Sequence, residues 1–359
     1  MSNKHLTSNK HPEKDLFICD VADAVLKGIA DEMEHPFYSL SKKPVLEITR
    51  YEYNGKYIEI TPSLKGAATI YDKDILIYAV SQMMAKINQG EKILSRRIRM
   101  NAYDILCFIN RSTSGRDYKN LEEAFDRLAG TVIQTNISHK ENAVINYHLV
   151  ESTKIVRQDG NKGRMLYCEI ELSKWIMKAI DPDWKDEDQD LLAEDSTQNT
   201  KEKPRVLTLH PDYFRLKKPI ERRIYELARK HCGKKPEWPV FVDTLYKKSG
   251  SKGSLKEFRR AVKEIVENDH LPDYHIKYYE EEDKVNFIAK SKWTKGISTA
   301  PPPLLKSETL NIAKRIVPNG LDVHAIQEDW IIWWREKGSE KLHDPDKAFL
   351  QFCSKKYLS

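Results

Sequence analysis

Hydrophobic positions recur along the chain about every 3.6 residues in some stretches and alternate in others, and the changes of period mark out its elements. Leu16, Cys19, Ala22 and Leu26 lie along one stripe, which predicts a helix over 15–34. VLEITRYEYNGKYIEI is two alternating runs joined by Asn54-Gly55, a dipeptide suited to the positive φ of a tight hairpin turn. DILIYAVSQMMAKINQ predicts a long helix stopped by Gly90, and NAYDILCFIN a short one with Asn101 as its N-cap. The polar turn RSTSG leads into a further helix, RDYKNLEEAFDRLAG, ended by Gly130. Strands TVIQTNI, VINYHLVESTKIV and RMLYCEIEL follow, the last two joined through QDGNKG. Helix SKWIMKAI, capped by Ser173, closes this first domain, 15–180.

From Asp181 to Glu202 the pattern dissolves into nine acidic residues against two lysines, too little apolar surface to fold alone, so 181–202 reads as a flexible acidic linker. Periodicity returns in 203–290. PIERRIYELARKHC places Ile220, Ile224, Leu227 and Ala228 on one helical face, with Pro219 in the first turn and Gly233 as the stop. FVDTLYKKSG is a second helix, and a third, beginning near Ser254, directs Leu255, Phe258, Val262 and Ile265 inward. YHIKYYEEEDKVNFI is a hairpin with an acidic tip. Three prolines make 291–306 a stiff, extended linker. Residues 307–359 form a small helical unit of three helices, with Pro345 at a first helical position. In it Trp330, Trp333 and Trp334 make a stripe that is either bundle core or a surface for a partner or single strand.

Both halves share one order: long helix, short helix, turn, helix, hairpin. Asn120-Leu121-Glu122-Glu123-Ala124-Phe125 and Ser254-Leu255-Lys256-Glu257-Phe258-Arg259 open the corresponding helix in each. Helix–turn–helix followed by a hairpin wing is the winged-helix pattern. The expected fold is therefore α+β: two tandem winged-helix domains followed by a small helical C-terminal unit.

Composition sharpens the picture. At 359 residues the chain exceeds one ordinary core. No run of 18 apolar residues exists to span a membrane, and 1–14, with no apolar signal core, reads as a disordered tail. Cys19, Cys107, Cys168, Cys232 and Cys353 are scattered without a CxxC pair, which argues against a metal or disulfide framework and suits a reducing cytoplasm. No P-loop or GxGxxG is present, and His139 and His148 make no metal-binding pair. Asp181-Asp183 and Asp186-Asp188 fall in the linker, where a metal would lack a rigid frame. The expectation is a chain that is no enzyme and takes no cofactor or metal.

Charge points to nucleic acid. Residues 204–264 carry 17 Lys plus Arg against 7 Asp plus Glu, a net of +10 in a chain of +6 overall. Contacts to backbone phosphates dominate duplex affinity. The outer face of the helix from Ser254 presents Lys256, Arg259, Arg260 and Lys263, with Ser254 at its start as a further candidate DNA contact, Lys252 in the turn before it and Lys247 and Lys248 closing the preceding helix. Arg259 and Arg260 are the candidates for base edges, since an Arg can bridge guanine O6 and N7. Lys252, Lys256 and Lys263 suit phosphate. The plainer alternative is a solvated face in which Glu257 and Glu264 pair with these cations. The corresponding helix of the first domain offers Arg116 and Lys119 but has a net of −1 over 116–127, so that domain is expected to make protein or secondary DNA contacts, with Arg96, Arg97, Arg99 and Arg111 near phosphate.

Longer motifs carry a resemblance. Met33-Glu34-His35-Pro36-Phe37-Tyr38-Ser39-Leu40, RYEYNGKYIEITPSLKGAATIYDKDILIY, AYDILCFINRSTSGRDYKNLEEAFDRLAGT, VLTLHPDYFRLKKPIERRIYELARKHCG, SGSKGSLKEFRRAVKEIV and HLPDY, in that order over roughly 15–290, resemble the bacterial plasmid replication initiator protein A family. The tail motif DPDKAFLQFC is similar to the end of such initiators, less specifically. The resemblance implies an origin-binding protein whose second winged helix reads part of a repeated element, the iteron, while the first reads an adjacent part or mediates dimers. It implies further that monomers on the repeats help open an AT-rich region and engage the host replicative helicase and host initiator protein. Dimers would bind an inverted repeat, repress their own gene and limit copy number. The alternative is a winged-helix transcriptional repressor with no origin role.

Overall fold

A computed structural model describes residues 16–21, 24–53, 55–137, 144–158, 163, 165–184, 203–233, 235–290, 303, 305–317, 323–336, 342 and 344–357. The acidic stretch 185–202 and most of the proline stretch lie outside the described residues. Two compact units separate, one of 1–233 with 239–287 and the other of 234–238 with 288–359.

The first unit opens with short strands β1 (Phe17–Ile18) and β2 (Lys27–Ile29) and helix α1 (Ala30–Glu34). The helix expected over 15–34 is therefore wrong for all but its last turn. The backbone of 27–29 is taken by antiparallel pairing with β10 (Val206–Thr208), and a non-local ladder overrides a weak local stripe. A Cβ at Gly28 would lie 2.5 Å from the flexible end of the Met33 side chain, which packs against this strand.

The alternating runs form the hairpin β3 (Thr49–Tyr53) and β4 (Lys56–Thr61), with Gly55 at φ +72°. Helix α2 (Lys73–Asn88) is buried from Lys73 to Met84. Strand β5 (Arg97–Asn101) follows, then α3 (Ala102–Phe108) and α4 (Gly115–Gly130). Asn101 and Ser114 cap α3 and α4 by accepting from the next backbone N–H groups. Helix α4 ends at Gly130, as expected from the sequence. Gly130 sits inside the last turn, where a Cβ would meet Ser63 Cβ at 2.5 Å, so close approach of the β4 loop is what requires it.

The expected strand 144–156 is divided at the buried Leu149 into β7 (Ile145–His148) and β8 (Val150–Arg157), which belong to different sheets. With β6 (Val132–Thr135) and β9 (Met165–Leu172) the orders are β3-β4-β6-β7 and β1-β5-β9-β8. Helix α5 (Lys174–Ile180) is capped by Ser173, and the turn after it buries Trp184.

After β10 come a 3-10 turn (Pro211–Arg215), α6 (Pro219–Cys232), β11 (Glu237–Phe241), α7 (Val242–Ser249), α8 (Leu255–Asn268) and the hairpin β12 (Tyr274–Tyr279) and β13 (Lys284–Ala289). Strands β5 and β11, which periodicity does not reveal, stand in equivalent places. Each runs directly into the short helix and pairs with the second strand of the hairpin, giving β5-β9-β8 and β11-β13-β12. In the second unit, α9 (Ser307–Ile316), α10 (Val323–Glu336) and α11 (Pro345–Tyr357) enclose Ala313, Val317, Val323, Ile326, Trp330, Phe349 and Cys353. Trp330 and Trp334 are core, whereas Trp333 is 43% exposed and packs on Phe352 with ring centroids 5.8 Å apart.

Candidate nucleic-acid interface

The turn before α8 is fixed at both ends. Gly250 closes α7 at φ +72°, and a Cβ there would strike Pro36 Cβ at 2.5 Å. Ser254 starts α8 with a capping box: its Oγ accepts from Glu257 N at 3.3 Å, and Glu257 Oε2 accepts from Ser254 N at 2.8 Å. That bonding holds the Glu257 carboxyl below the usual range and commits Ser254 to the cap. Phe258, Val262 and Ile265 are buried as expected, while Leu255 is only half-buried.

The outer face of α8 is mixed in its commitments. Lys256 and Arg260 are exposed and have no hydrogen-bond or ion-pair partner among the described residues. Arg259 is bound to Asp283 of the hairpin turn, and Lys263 to Glu280 at 2.8 Å. Glu267, one turn beyond Lys263, is exposed, so the basic surface belongs to the first turns of α8. Lys252 Nζ donates to Thr49 Oγ1 at 2.7 Å, tying the turn to β3. Lys247 pairs with Asp243 at 2.7 Å on the surface of α7. Lys248 points elsewhere, to Glu34 at 3.6 Å and the Tyr53 ring at 5.4 Å.

On α4, Arg116 and Lys119 are exposed without partners among the described residues. Arg127 is held by Asp72 at 2.7 Å and Glu122 by Arg157 at 2.6 Å, one charge of each sign, so the helix keeps the net of −1 counted along it. Arg96 pairs with Glu171 and Arg99 with Glu169, both at 2.7 Å, and Arg111 lies 3.6 Å from Asp74. Of that group only Arg97 is exposed and unpaired among the described residues. A groove of about 810 Å3 between α4 and the 3-10 turn also brings in exposed Lys42, Lys43 and Lys217, which the sequence reading did not single out because they are far apart in the chain.

The +10 of residues 204–264 is thus not all available to a ligand. Arg222 is buried and donates to Asp74 at 2.6 Å, and Arg223 is buried against α1. Arg205 pairs with Asp31, and Lys230 with Glu34. At the centre, fully buried Lys73 lies 2.9 Å from Glu226 and 3.8 Å from Glu32. A large part of the excess therefore joins the two halves of the first unit.

Burial pushes the Glu32 carboxyl up to about 7, with Lys73 and the Tyr38 hydroxyl opposing. A raised carboxyl pKa means that the ionised form works against folding: the penalty is absent below about 4.5 and complete above about 7. Glu32→Gln keeps an acceptor for Tyr38 and leaves Lys73 with Glu226. Urea unfolding should show its stability relative to the parent improving from pH 5 to pH 8. A constant difference would contradict the assignment.

Among the described residues no three His, Cys, Asp or Glu converge as a metal site, and no helix is long and apolar enough to cross a membrane.

This geometry can be set beside known proteins. The family model described as replication initiator protein A matches residues 27–276. The chain belongs to that family. A family relative from Wigglesworthia glossinidia brevipalpis, described as "Putative replication protein", is 35% identical over 279 residues, covering 76% of this chain and 93% of the relative. Among solved structures, domains 2 and 3 of RctB superpose with a TM-score of 0.51 at 12% identity, covering 72% of this chain and 98% of that one. At that identity the likeness concerns the fold alone. The Pi initiator protein in complex with iteron DNA aligns at TM-score 0.38 and 14% identity, over 63% of this chain and 92% of that one, too slight a likeness to carry an argument.

Proposed function

We propose that this replication initiator works by binding repeated double-stranded origin sites, the iterons, through two tandem winged-helix domains. In this reading α8 enters a major groove, with Lys256 and Arg260 on phosphate and base edges and Arg259 beside them. Lys252, Lys247 and Lys263 lie within reach of the backbone. Arg116 and Lys119 on α4 make secondary contacts. Lys248 is assigned instead to packing against Glu34. The chain acts in the cytoplasm as a non-enzymatic initiator without cofactor, opens the origin and engages the host replicative helicase and host initiator. A dimer, formed through the strands of the first half, represses its own gene at an inverted repeat.

The observation that carries the reading is α8 itself: a capped helix of 14 residues with two exposed cations on its outer face that have no hydrogen bond or ion pair among the described residues, in a chain of an initiator family. The matching topology of β5-β9-β8 and β11-β13-β12 supports two winged domains. Footprinting on the DNA flanking the gene tests it. Protection of tandem direct repeats, in phase on the helix, is the expected result. Protection of one palindrome alone would favour a repressor, and no protection would remove the proposal.

A further inference from the structure

The turn of the second hairpin does more than reverse the chain. Asp283 adopts φ +47°, in the left-handed region that Asn and Asp tolerate better than most residues. Its carbonyl accepts from Val242 N at 2.9 Å, which pins the turn to the start of α7. Its carboxylate then faces α8. Oδ1 accepts from Arg259 Nε at 3.1 Å and from the Tyr278 hydroxyl at 2.8 Å, and Oδ2 accepts from Arg259 Nε at 3.0 Å and Nη2 at 2.7 Å. Two elements, α8 and β12, thus converge on one carboxylate, and α7 holds the backbone of the same residue. The neighbouring pair, Lys263 with Glu280, is a single contact between more exposed groups.

A guanidinium offers its donors on distinct edges. The side edge, Nε and the near hydrogen of Nη2, is the one Asp283 occupies. The end edge, Nη1 and the outer hydrogen of Nη2, has no acceptor among the described residues. With the side edge held, the end edge has a defined direction, and its two parallel donors match two adjacent acceptors such as guanine O6 and N7. An Arg left free would meet phosphate as readily as a base.

We infer that Asp283 is a positioning residue for sequence recognition: the hairpin carboxylate fixes Arg259 so that it reads a guanine rather than a phosphate. The inference rests on the proposed entry of α8 into the major groove. It also gives the acidic hairpin tip a part in recognition, although carboxylates near a duplex weaken general attraction.

The test uses the full-length protein and the duplex protected in the footprint, with each base pair substituted in turn. Asp283→Asn suits the left-handed backbone and keeps an acceptor for Tyr278, but loses the charged two-point hold on Arg259. An unchanged unfolding midpoint shows that the turn is intact. The expected result is a loss of about tenfold in the ratio of matched to substituted binding, confined to one G·C pair. Affinity for unrelated duplex should hold or rise, because a negative charge has gone. Arg259→Ala should lose discrimination at the same pair, and the double variant should be no worse than Arg259→Ala alone. If Asp283→Asn strengthens matched and substituted duplexes equally while Arg259→Ala loses discrimination, positioning is overturned and the reading of α8 survives. If Arg259→Ala keeps full discrimination, Arg259 is no base reader and both statements about it fall.

Discussion

Replacing Arg223 with alanine is expected to destabilise the first unit by about 3–5 kcal/mol, the scale for removing one partner of a buried charged cluster. Arg223 Nη1 donates to the carbonyls of Glu32 at 3.2 Å and Met33 at 2.9 Å, and Nη2 to those of Glu34 at 3.1 Å and Lys248 at 2.8 Å. The guanidinium therefore satisfies the last turn of α1 and the end of α7 at once, where helices leave carbonyls without partners. Its Nη1 also lies 3.4 Å from Glu226. Truncation leaves these acceptors without their donor in a largely buried joint. Arg223→Lys should rescue little, because one ammonium cannot span carbonyls from two helices. Urea unfolding checks this, and a loss below about 1 kcal/mol would show that water or another side chain replaces the guanidinium.

The second large effect concerns duplex binding. Lys256→Ala with Arg260→Ala should weaken it by about 2–4 kcal/mol together, since neither cation has a hydrogen bond or ion pair among the described residues to lose. The slope of log affinity against log salt should become shallower by about one for each lost phosphate contact. Lys248→Ala provides the contrast: its ammonium is directed at Glu34, so stability should fall while the salt slope stays the same. Fluorescence anisotropy titrations at several salt concentrations would measure all three variants. A double variant that keeps both its affinity and its slope would remove α8 from the interface.

Much of the local architecture was legible because its causes are local. Asn101 and Ser173, expected as caps, bond to backbone N–H groups two or three residues on, a relation that sequence spacing displays, and Ser114 and Ser254, expected only to lie where helices begin, cap theirs in the same way. Gly55 makes its hairpin turn for an equally local reason, its positive φ. The family is legible too, since long ordered motifs do not depend on knowing contacts.

What failed were inferences about partners distant in the chain. The stripe over 15–34 gave way to a ladder with 206–208, Leu149 divides its strand between two sheets, and β5 and β11 are recognised as equivalent only by what they pair with.

Charge shows the division most clearly. The sequence by itself determined that residues 204–264 are strongly cationic and that an amphipathic helix begins at Ser254. Only the tertiary structure decided that Arg222 and Arg223 serve the buried joint, that Arg259 is held by the hairpin, and that Lys256 and Arg260 have no hydrogen bond or ion pair among the described residues. The physical reason is that charge is a property of each residue, whereas its use depends on which opposite charge folding brings within about 4 Å.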